Sequence, residues 1–478
     1  MPEIDNTDLL PTLKDAIIEA LHRYKTEFPR RAASPHRVAD IAYLNTTVNA
    51  AVNPDDLLSE LEDYFSSDSY YTGITDQSVL EELIVEELLK INKELQQSFN
   101  TFGYSPQPHP AKHETPEGAK DGNISLNYSL NDFIHYAIDK YISEKQGNIP
   151  QYRQYDIEKL RDILKGKQND LKKLELIEEF LNGLTHPFNS YLKQYLRQSL
   201  QLFQSNPSKT FITRIWEPDI PSTPEKIMVF LHGWHDSVNS ADKLAREAVK
   251  NGFKVIAYDH RGHGNDAQRQ KRNISTDLLR IDFRKFINHI NIQNPNAELA
   301  LVGHSMGGAI LTVENAFINN LANENGKAVK CVSLLAPAVM SGFHKMASPL
   351  KLFYRNMHPD VYSAQTTGPS PRFGGHGPSL FGLLNLMLKA ARALKHLYQK
   401  DSSGHSHWHI YSGKKDASVN YSEFESLPNS HHKPVRFFSR GDHALQFGHR
   451  SGTVIRALIK DTEKHFSSTI SIQPISRL

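Results

Sequence analysis

Leu299-Ala300-Leu301-Val302-Gly303-His304-Ser305-Met306-Gly307-Gly308 decides how this chain is read. An apolar run leads straight into Gly-x-Ser-x-Gly, and a helix-competent stretch, Ala309-Ile310-Leu311-Thr312-Val313, follows. A buried strand, a sharp turn and a helix in that order form a nucleophile elbow, which lifts a serine out of the sheet edge at a strained backbone angle. Gly303 and Gly307 fit because a Cβ at either place would collide with the neighbouring strand and helix. The helix start behind Ser305 leaves backbone N–H groups free for a developing oxyanion. A bare Gly-x-Ser-x-Gly arises by accident roughly 0.1–0.2 times in a chain of this length, so the motif needs support from elsewhere.

That support lies on both sides. Upstream, Ile227-Met228-Val229-Phe230-Leu231-His232-Gly233-Trp234 is a short apolar run opening onto a His-Gly loop. Lys254 to Asp259 is a second such run, closed by the glycine-rich turn His260-Arg261-Gly262-His263-Gly264, read as scaffold. Downstream, Trp408 to Gly413 leads into a loop carrying Asp416, and Pro434 to Ser439 leads into Gly441-Asp442-His443. The order is Ser305, Asp416, His443. A serine hydroxyl is a poor nucleophile at neutral pH, and a histidine must take its proton and return it to the leaving group. A carboxylate behind the imidazole fixes its tautomer and stabilises the imidazolium. His449 competes with His443 for the base, and Asp401 and Asp442 compete with Asp416 for the acid. Asp442 adjoins His443, and neighbours in an extended loop point apart.

Residues from about 208 to 470 resemble an α/β-hydrolase, and within that superfamily the monoacylglycerol lipase and lysophospholipase group. The stretches that carry the likeness are Phe230-Leu231-His232-Gly233, Tyr258 to Gly264, Gly303 to Gly308, Gly413-x-x-Asp416-x-x-Val419 and Gly441-Asp442-His443. The resemblance implies a serine hydrolase in which Ser305 attacks, His443 shuttles the proton and Asp416 orients it. It also implies an oxyanion hole from the backbone amides of Trp234 and Met306. The implied substrate is a carboxylic ester with a lipid-like or hydrophobic acyl group. An aminopeptidase or thioesterase of the same fold is the alternative, as is a catalytically silent platform serving a helical binding module. Asn265-Asp266 stands where relatives often carry serine or threonine after Gly264, and the bulk of Trp234 narrows the acyl slot.

The expected fold is a mostly parallel α/β sheet with a cap insertion, preceded by an all-helical N-terminal region. At 478 residues the chain is long enough for two or three domains. Residues 1–100 read as helical, with patterns over 8–28, from Pro54, and over 78–99. Residues 101–126, rich in Pro, Gly and His, read as a linker or long loop. Residues 127–205 read as helical again: Ser129 to about Lys145, Asp156 to Gly183 with a break near Gly166, and Asn189 to Gln204. Residues 206–478 form the hydrolase domain, with the cap at about 339–405. The Leu380–Tyr398 helix pattern there either lines an acyl site or packs on the core. The helical half is either an accessory module, whose protein partner is not identifiable, or an extension packed on the hydrolase.

Composition excludes other classes. The single cysteine, Cys331, lies in an apolar run and reads as a buried core thiol, so a disulfide within the chain is impossible. The acidic start lacks a signal pattern and no apolar run is long enough to span a bilayer, so a cytoplasmic protein is expected. Net charge is +2 overall, but residues 1–100 carry 8 Lys and Arg against 19 Asp and Glu. Residues after 205 carry 34 against 21. A basic catalytic half suits either an anionic surface, with peripheral membrane contact, or the chain's own acidic half. Basic residues do not interleave with aromatics, so no nucleic-acid partner is expected. His405-x-His407-x-His409 puts three imidazoles on one side of an extended segment. The triad needs no metal, and neither a metal nor a cofactor is expected.

Overall fold

A computed structural model describes residues 9–33, 35–66, 80, 83–84, 87–88, 117–145, 149–183, 190–222, 224–234, 236–264, 274–322, 326, 328–340, 378–399, 407–416, 419, 421–425, 427, 434–443, 445–446 and 451–466. In chain order its elements begin with helices α1 (Leu9–Glu27), α2 (Pro29–Ala32), α3 (Pro35–Ala50) and α4 (Pro54–Ser66). Strand β1 (Ala119–Asn127) is followed by α5 (Leu130–Glu144), α6 (Gln151–Lys165), α7 (Asp170–Gly183) and α8 (Ser190–Ser205). Then come β2 (Ser208–Trp216), β3 (Lys226–Leu231), α9 (Asp242–Lys250), β4 (Phe253–Tyr258), α10 (Thr276–Gln293), β5 (Glu298–His304), α11 (Met306–Val313) and α12 (Asn315–Asn320). The chain continues through β6 (Val329–Leu335), α13 (Leu380–Gln399), β7 (His407–Gly413), α14 (Ser422–Glu425), β8 (Val435–Phe438) and α15 (Ser451–Glu463).

Contacts divide the chain into two compact units, each discontinuous in sequence. One comprises residues 1–122, 212–276 and 295–478; the other comprises 123–211 and 277–294. The strands form one sheet in the order β1-β2-β4-β3-β5-β6-β7-β8. From β4 through β8 every neighbouring pair is parallel, and β2 pairs antiparallel with β4. Parallel strands covered on both faces are apolar throughout, which is why β3, β5 and β6 read as continuous hydrophobic runs. Every residue of β5 is buried. Met228, Phe230, Val255, Ala300, Val302 and Tyr411 share a core with Leu244 and Ala248 of α9 and with Val454, Ile455 and Leu458 of α15. Each fully buried leucine or valine there contributes about 1.5–3 kcal/mol.

Strand β1 is a departure from the sequence reading, which placed 101–126 in a linker or long loop. Residues 119–127 are a strand with a mostly exposed or half-exposed face, and only Leu126 is buried. An outer strand that buries so little shows no apolar alternation. Helix α3 was not anticipated either; its apolar residues Ile41, Leu44 and Val48 are buried, but Asn45, Thr46 and Thr47 weaken its helical signature. Of the pattern over 78–99, only Leu80, Leu83, Ile84, Glu87 and Leu88 are described, and all are buried.

Within the first unit, α13 packs against α11 on one side and α4 on another. Phe381, Leu384, Leu386, Met387, Leu388, Leu394 and Tyr398 are all buried. From Phe381 to Leu388 every residue is buried, whereas Lys389, Arg392 and Lys395 are half-exposed and give the second half of the helix a polar face. Neighbouring helices cover the buried residues, so the helix packs on other elements of the first unit. Residues 341–377 and 400–406, most of the expected cap, lie outside the described residues. Glu62 of α4 ties these elements together. Its Oε1 accepts the Thr276 backbone N–H at 2.9 Å, and its Oε2 accepts Asn385 Nδ2 at 2.8 Å.

The second unit is a helical bundle. Leu130, Ile134, Ile138, Ile157, Leu160, Ile177, Leu192 and Leu196 form its core. Ser129 and Asp132 cap α5 reciprocally. Helix α6 ends at Lys165 with Gly166 as its C-cap, the expected break. It begins at Gln151, before the apolar pattern, where buried Arg153 pairs with Asp156 at 2.7 Å. Residues 277–294 belong to this unit: Leu278 and Ile281 pack on Tyr128, Phe133 and Tyr136. Arg284 pairs with Asp139 at 2.7 Å and Lys285 with Asp132 at 2.8 Å. Among the described residues no helix is long and apolar enough to cross a membrane.

Candidate active site

Ser305 stands between β5 and α11 with φ 51° and ψ −114°, a backbone region rare for any residue with a Cβ. Such a conformation costs on the order of 1–3 kcal/mol and persists only where the surroundings impose it. Three hydrogen bonds impose it: Ser305 N–H donates to Leu335 O at 3.0 Å, while its carbonyl accepts from Ala309 N at 3.0 Å and Ala338 N at 2.9 Å. The flanking glycines are equally constrained. A Cβ on Gly303 would lie 2.7 Å from the Gly307 and Gly308 backbone. A Cβ on Gly307 would lie 2.4 Å from Leu231 O, and one on Gly308 would lie 2.9 Å from Pro337 Cβ. Strand β3, the turn and α11 are thus packed backbone to backbone, and Met306 begins a helix whose first amides lack intrahelical acceptors.

The loops after β7 and β8 hold Asp416 and His443. They approach so closely that a Cβ on Gly413 would lie 2.3 Å from Gly441 O. Lys414 N donates to Phe438 O at 3.0 Å and Lys415 N to Gly441 O at 2.9 Å. Both carboxylate oxygens of Asp416 are engaged: Oδ1 accepts Val419 N–H at 2.9 Å, and Oδ2 lies 2.9 Å from His443 Nδ1. A proton on Nδ1 for that contact leaves Nε2 as the basic nitrogen. Burial works against protonation of His443. The charge and hydrogen bond of Asp416, with Asp442 and Asp236 behind them, outweigh it and hold the imidazole above the ordinary histidine range. The rival residues Asp401 and His449 lie outside the described residues.

His304 links the two halves of the site, and sequence reasoning passed over it. Its Nε2 donates to the carbonyl of His443 at 2.9 Å, and the two rings lie 4.9 Å apart. It occupies the variable position of Gly-x-Ser-x-Gly, so the motif carried no signal for it. The loop after β3 also reaches the site. A Cβ on Gly233 would lie 3.0 Å from His304 Nδ1 and 3.2 Å from Ser305 Cβ, which places Trp234 next to a residue that touches the serine.

Beneath that loop lies a buried imidazole network. His232 Nδ1 donates to Gly233 O at 2.7 Å, leaving Nε2 to accept the His260 backbone N–H at 2.9 Å. His260 Nε2 returns a bond to His232 O at 3.2 Å. Burial pushes His260 down to about 3 and His232 well below the ordinary value, so both work as neutral hydrogen-bonding groups. Asp259 accepts Val238 N at 2.8 Å and fills the space where a Gly264 Cβ would stand. The Asp259–Gly264 turn is the scaffold its sequence indicated.

Residues 222–372 match the family described as serine aminopeptidase, S33. The monoglyceride lipase of Rattus norvegicus is 33% identical over 100 residues, covering 20% of this chain and 31% of that protein. The monoacylglycerol lipase of Mycolicibacterium smegmatis is 29% identical over 97 residues, 20% of this chain and 34% of that one. The chain thus spans about a third of the length of these curated relatives. A soluble variant of the monoglyceride lipase of Saccharomyces cerevisiae, solved with a substrate analogue, superposes with TM-score 0.40 at 16% identity, covering 54% of this chain and 93% of that one. The strand order, the strained turn after β5 and the family match show an α/β-hydrolase fold. Within that fold the chain resembles the monoacylglycerol lipases.

Proposed function

We propose that the chain is a serine hydrolase that cleaves carboxylic esters carrying a lipid-like or hydrophobic acyl group. The observation that supports this reading is the Asp416–His443 pair at 2.9 Å, whose His443 carbonyl accepts His304 Nε2 at 2.9 Å, His304 being the neighbour of a serine at φ 51°. In this mechanism His443 Nε2 removes the Ser305 proton as Oγ attacks the ester carbonyl carbon. The Met306 and Trp234 amides receive the oxyanion. Collapse breaks the carbonyl carbon–alkoxy oxygen bond, and His443 gives its proton to the departing alcohol. Water, deprotonated by His443, then attacks the acyl-enzyme, and its collapse releases the carboxylic acid and restores Ser305. Asp416 holds the imidazole in the required tautomer throughout. The preference for a lipid-like acyl group rests on the likeness to monoacylglycerol lipases.

The test is labelling with a fluorophosphonate probe, comparing wild type with Ser305→Ala, followed by an ester chain-length series. Labelling confined to the wild type supports the reading, and the chain-length optimum then sizes the acyl pocket. Folded wild type that resists the probe and hydrolyses no ester overturns it.

A further inference from the structure

A second cluster of reactive side chains lies at the other end of the sheet. Cys331 Sγ, one ring nitrogen of His409 and one of His465 lie within 4.8 Å of one another. Cys331 and His409 come from neighbouring strands, β6 and β7, whose register pairs Cys331 with His407 and Ser333 with His409. Alternate residues of a strand share a face, so the thiol and the imidazole project to the same side. His465 follows α15. From Cys331 to Leu335, whose carbonyl holds the Ser305 amide, is roughly 13 Å of strand. The cluster is therefore separate from the candidate active site.

We infer that Cys331, His409 and His465 form a site for a divalent, borderline-soft cation of the zinc class. His409 Nε2 faces His465 Nε2 at 3.1 Å, with the rings nearly perpendicular at 89°. Two zinc–nitrogen bonds of about 2.0–2.1 Å at a tetrahedral angle put their nitrogens about 3.3 Å apart. The proton on His409 is fixed from behind. Tyr411 OH donates to Asp461 Oδ2 at 3.1 Å and lies 3.3 Å from His409 Nδ1, so it accepts the Nδ1–H. Asp461 is held in turn by Arg436, at 2.6 and 2.7 Å, and by Lys464 at 2.9 Å. His409 Nε2 thereby presents its lone pair toward His465 and Cys331. A carboxylate acting through a polar group on the far nitrogen is how protein metal sites orient a histidine ligand.

One thiolate and two imidazoles suit zinc, and water completes the tetrahedron from the side of His465, the least buried of the three. Binding converts the Cys331 thiol to a thiolate and releases one proton for each ion bound. The ion would fasten the segment after α15 to β6 and β7, a structural role.

The test uses the full chain stripped of metal and titrated with Zn²⁺ or Co²⁺. Cys331 is the single cysteine in the sequence, so thiolate-to-cobalt charge-transfer absorption reports this site and no surface histidine can mimic it. The inference expects one equivalent bound, that absorption, and a thermal midpoint raised by Zn²⁺. In His465→Ala, affinity falls about 100-fold or more, while ester hydrolysis without added metal stays at the wild-type rate. Cys331→Ser abolishes the absorption. Cobalt uptake without charge transfer, or uptake of unchanged affinity in His465→Ala, overturns the inference even if Cys331→Ser fails to fold.

Discussion

Replacing Asp416 by asparagine separates catalysis from folding at this site, and the local hydrogen bonds decide how. Oδ1 accepts Val419 N–H at 2.9 Å and Oδ2 faces His443 Nδ1 at 2.9 Å. An amide supplies one oxygen and one NH₂. If the oxygen stays on Val419, the NH₂ points at His443 Nδ1, and the imidazole must move its proton to Nε2 to accept it. The opposite orientation sets NH₂ against the Val419 N–H, leaving a donor without an acceptor at a cost of about 1–3 kcal/mol. The first arrangement wins, and its tautomer places a proton where the serine proton has to go. Loss of the correct tautomer lowers kcat by about 10⁴-fold, or roughly 5.5 kcal/mol of barrier.

The same substitution has a second, independent readout. Burial lowers the His443 pKa, and the Asp416 charge and hydrogen bond are the largest influences raising it. Without them burial prevails and the pKa falls. The base works only when neutral, so activity rises with pH through that pKa, and the acid limb of kcat/KM moves to lower pH in Asp416→Asn. Hydrolysis of a p-nitrophenyl ester between pH 4 and 9 measures both effects, with circular dichroism to establish the fold (on the order of one pH unit is resolvable). A folded variant with kcat within about tenfold of wild type, or an acid limb that does not move, refutes the assignment of Asp416.

Other substitutions and conditions give sharp expectations. Ser305→Gly removes the Cβ from a φ of 51° and should raise stability by about 1 kcal/mol while abolishing probe labelling; an unchanged or lower thermal midpoint contradicts the strain. Gly307→Ala sets a Cβ 2.4 Å from Leu231 O, and because backbone cannot yield cheaply a loss of about 3 kcal/mol or more should appear in denaturant unfolding. Glu62→Ala strands the Thr276 N–H and Asn385 Nδ2 that Glu62 now accepts, costing about 2–4 kcal/mol, with Glu62→Gln closer to wild type. Burial pushes both His260 and His409 down to about 3, so between pH about 6.5 and 3 the unfolded chain binds more protons than the native one. Stability of the metal-free protein then falls with pH by about 1.4 kcal/mol per unit for each imidazole. His443, shifted the opposite way, gives stability at low pH that is lost as pH rises; His260→Gln should flatten the acid slope measured by urea unfolding at pH 7 and 5.

Much of the sheet was legible because parallel strands buried on both faces must be apolar throughout, and β3, β5 and β6 have few alternatives to that state. The turn after β5 was legible for a steric reason, since Gly303 and Gly307 sit where other backbone leaves no room for a Cβ. Asp416 and His443 could be picked out as candidates because each follows a short apolar strand. His304 could not: its value lies in a hydrogen bond to a backbone carbonyl far along the chain, and carbonyls leave no mark on sequence. Strand β1 and helix α3 were missed because one buries almost nothing and the other interrupts its apolar stripe with polar β-branched residues.

Helix α13 shows why periodicity alone cannot separate a ligand-facing helix from a buried one. Leu383, Leu384, Leu386, Met387 and Leu388 would suit an acyl chain as well as they suit a core, and only the partners discriminate. Those partners are α11, which begins beside Ser305, and α4, which lies more than three hundred residues earlier in the chain. Glu62 adds a polar contact to that packing. A carboxylate buried there needs acceptable donors, and it finds them on Asn385 of α13 and at the first residue of α10. The N-terminal helices of the first unit are therefore joined by a specific polar contact to the helix that backs the nucleophile turn. A substitution at Glu62 should accordingly reach the probe-labelling rate of Ser305 through α13 and α11, whereas replacing Glu60, a half-buried carboxylate of α4 that accepts Tyr43 OH at 3.0 Å instead of reaching α13, should leave that rate unchanged.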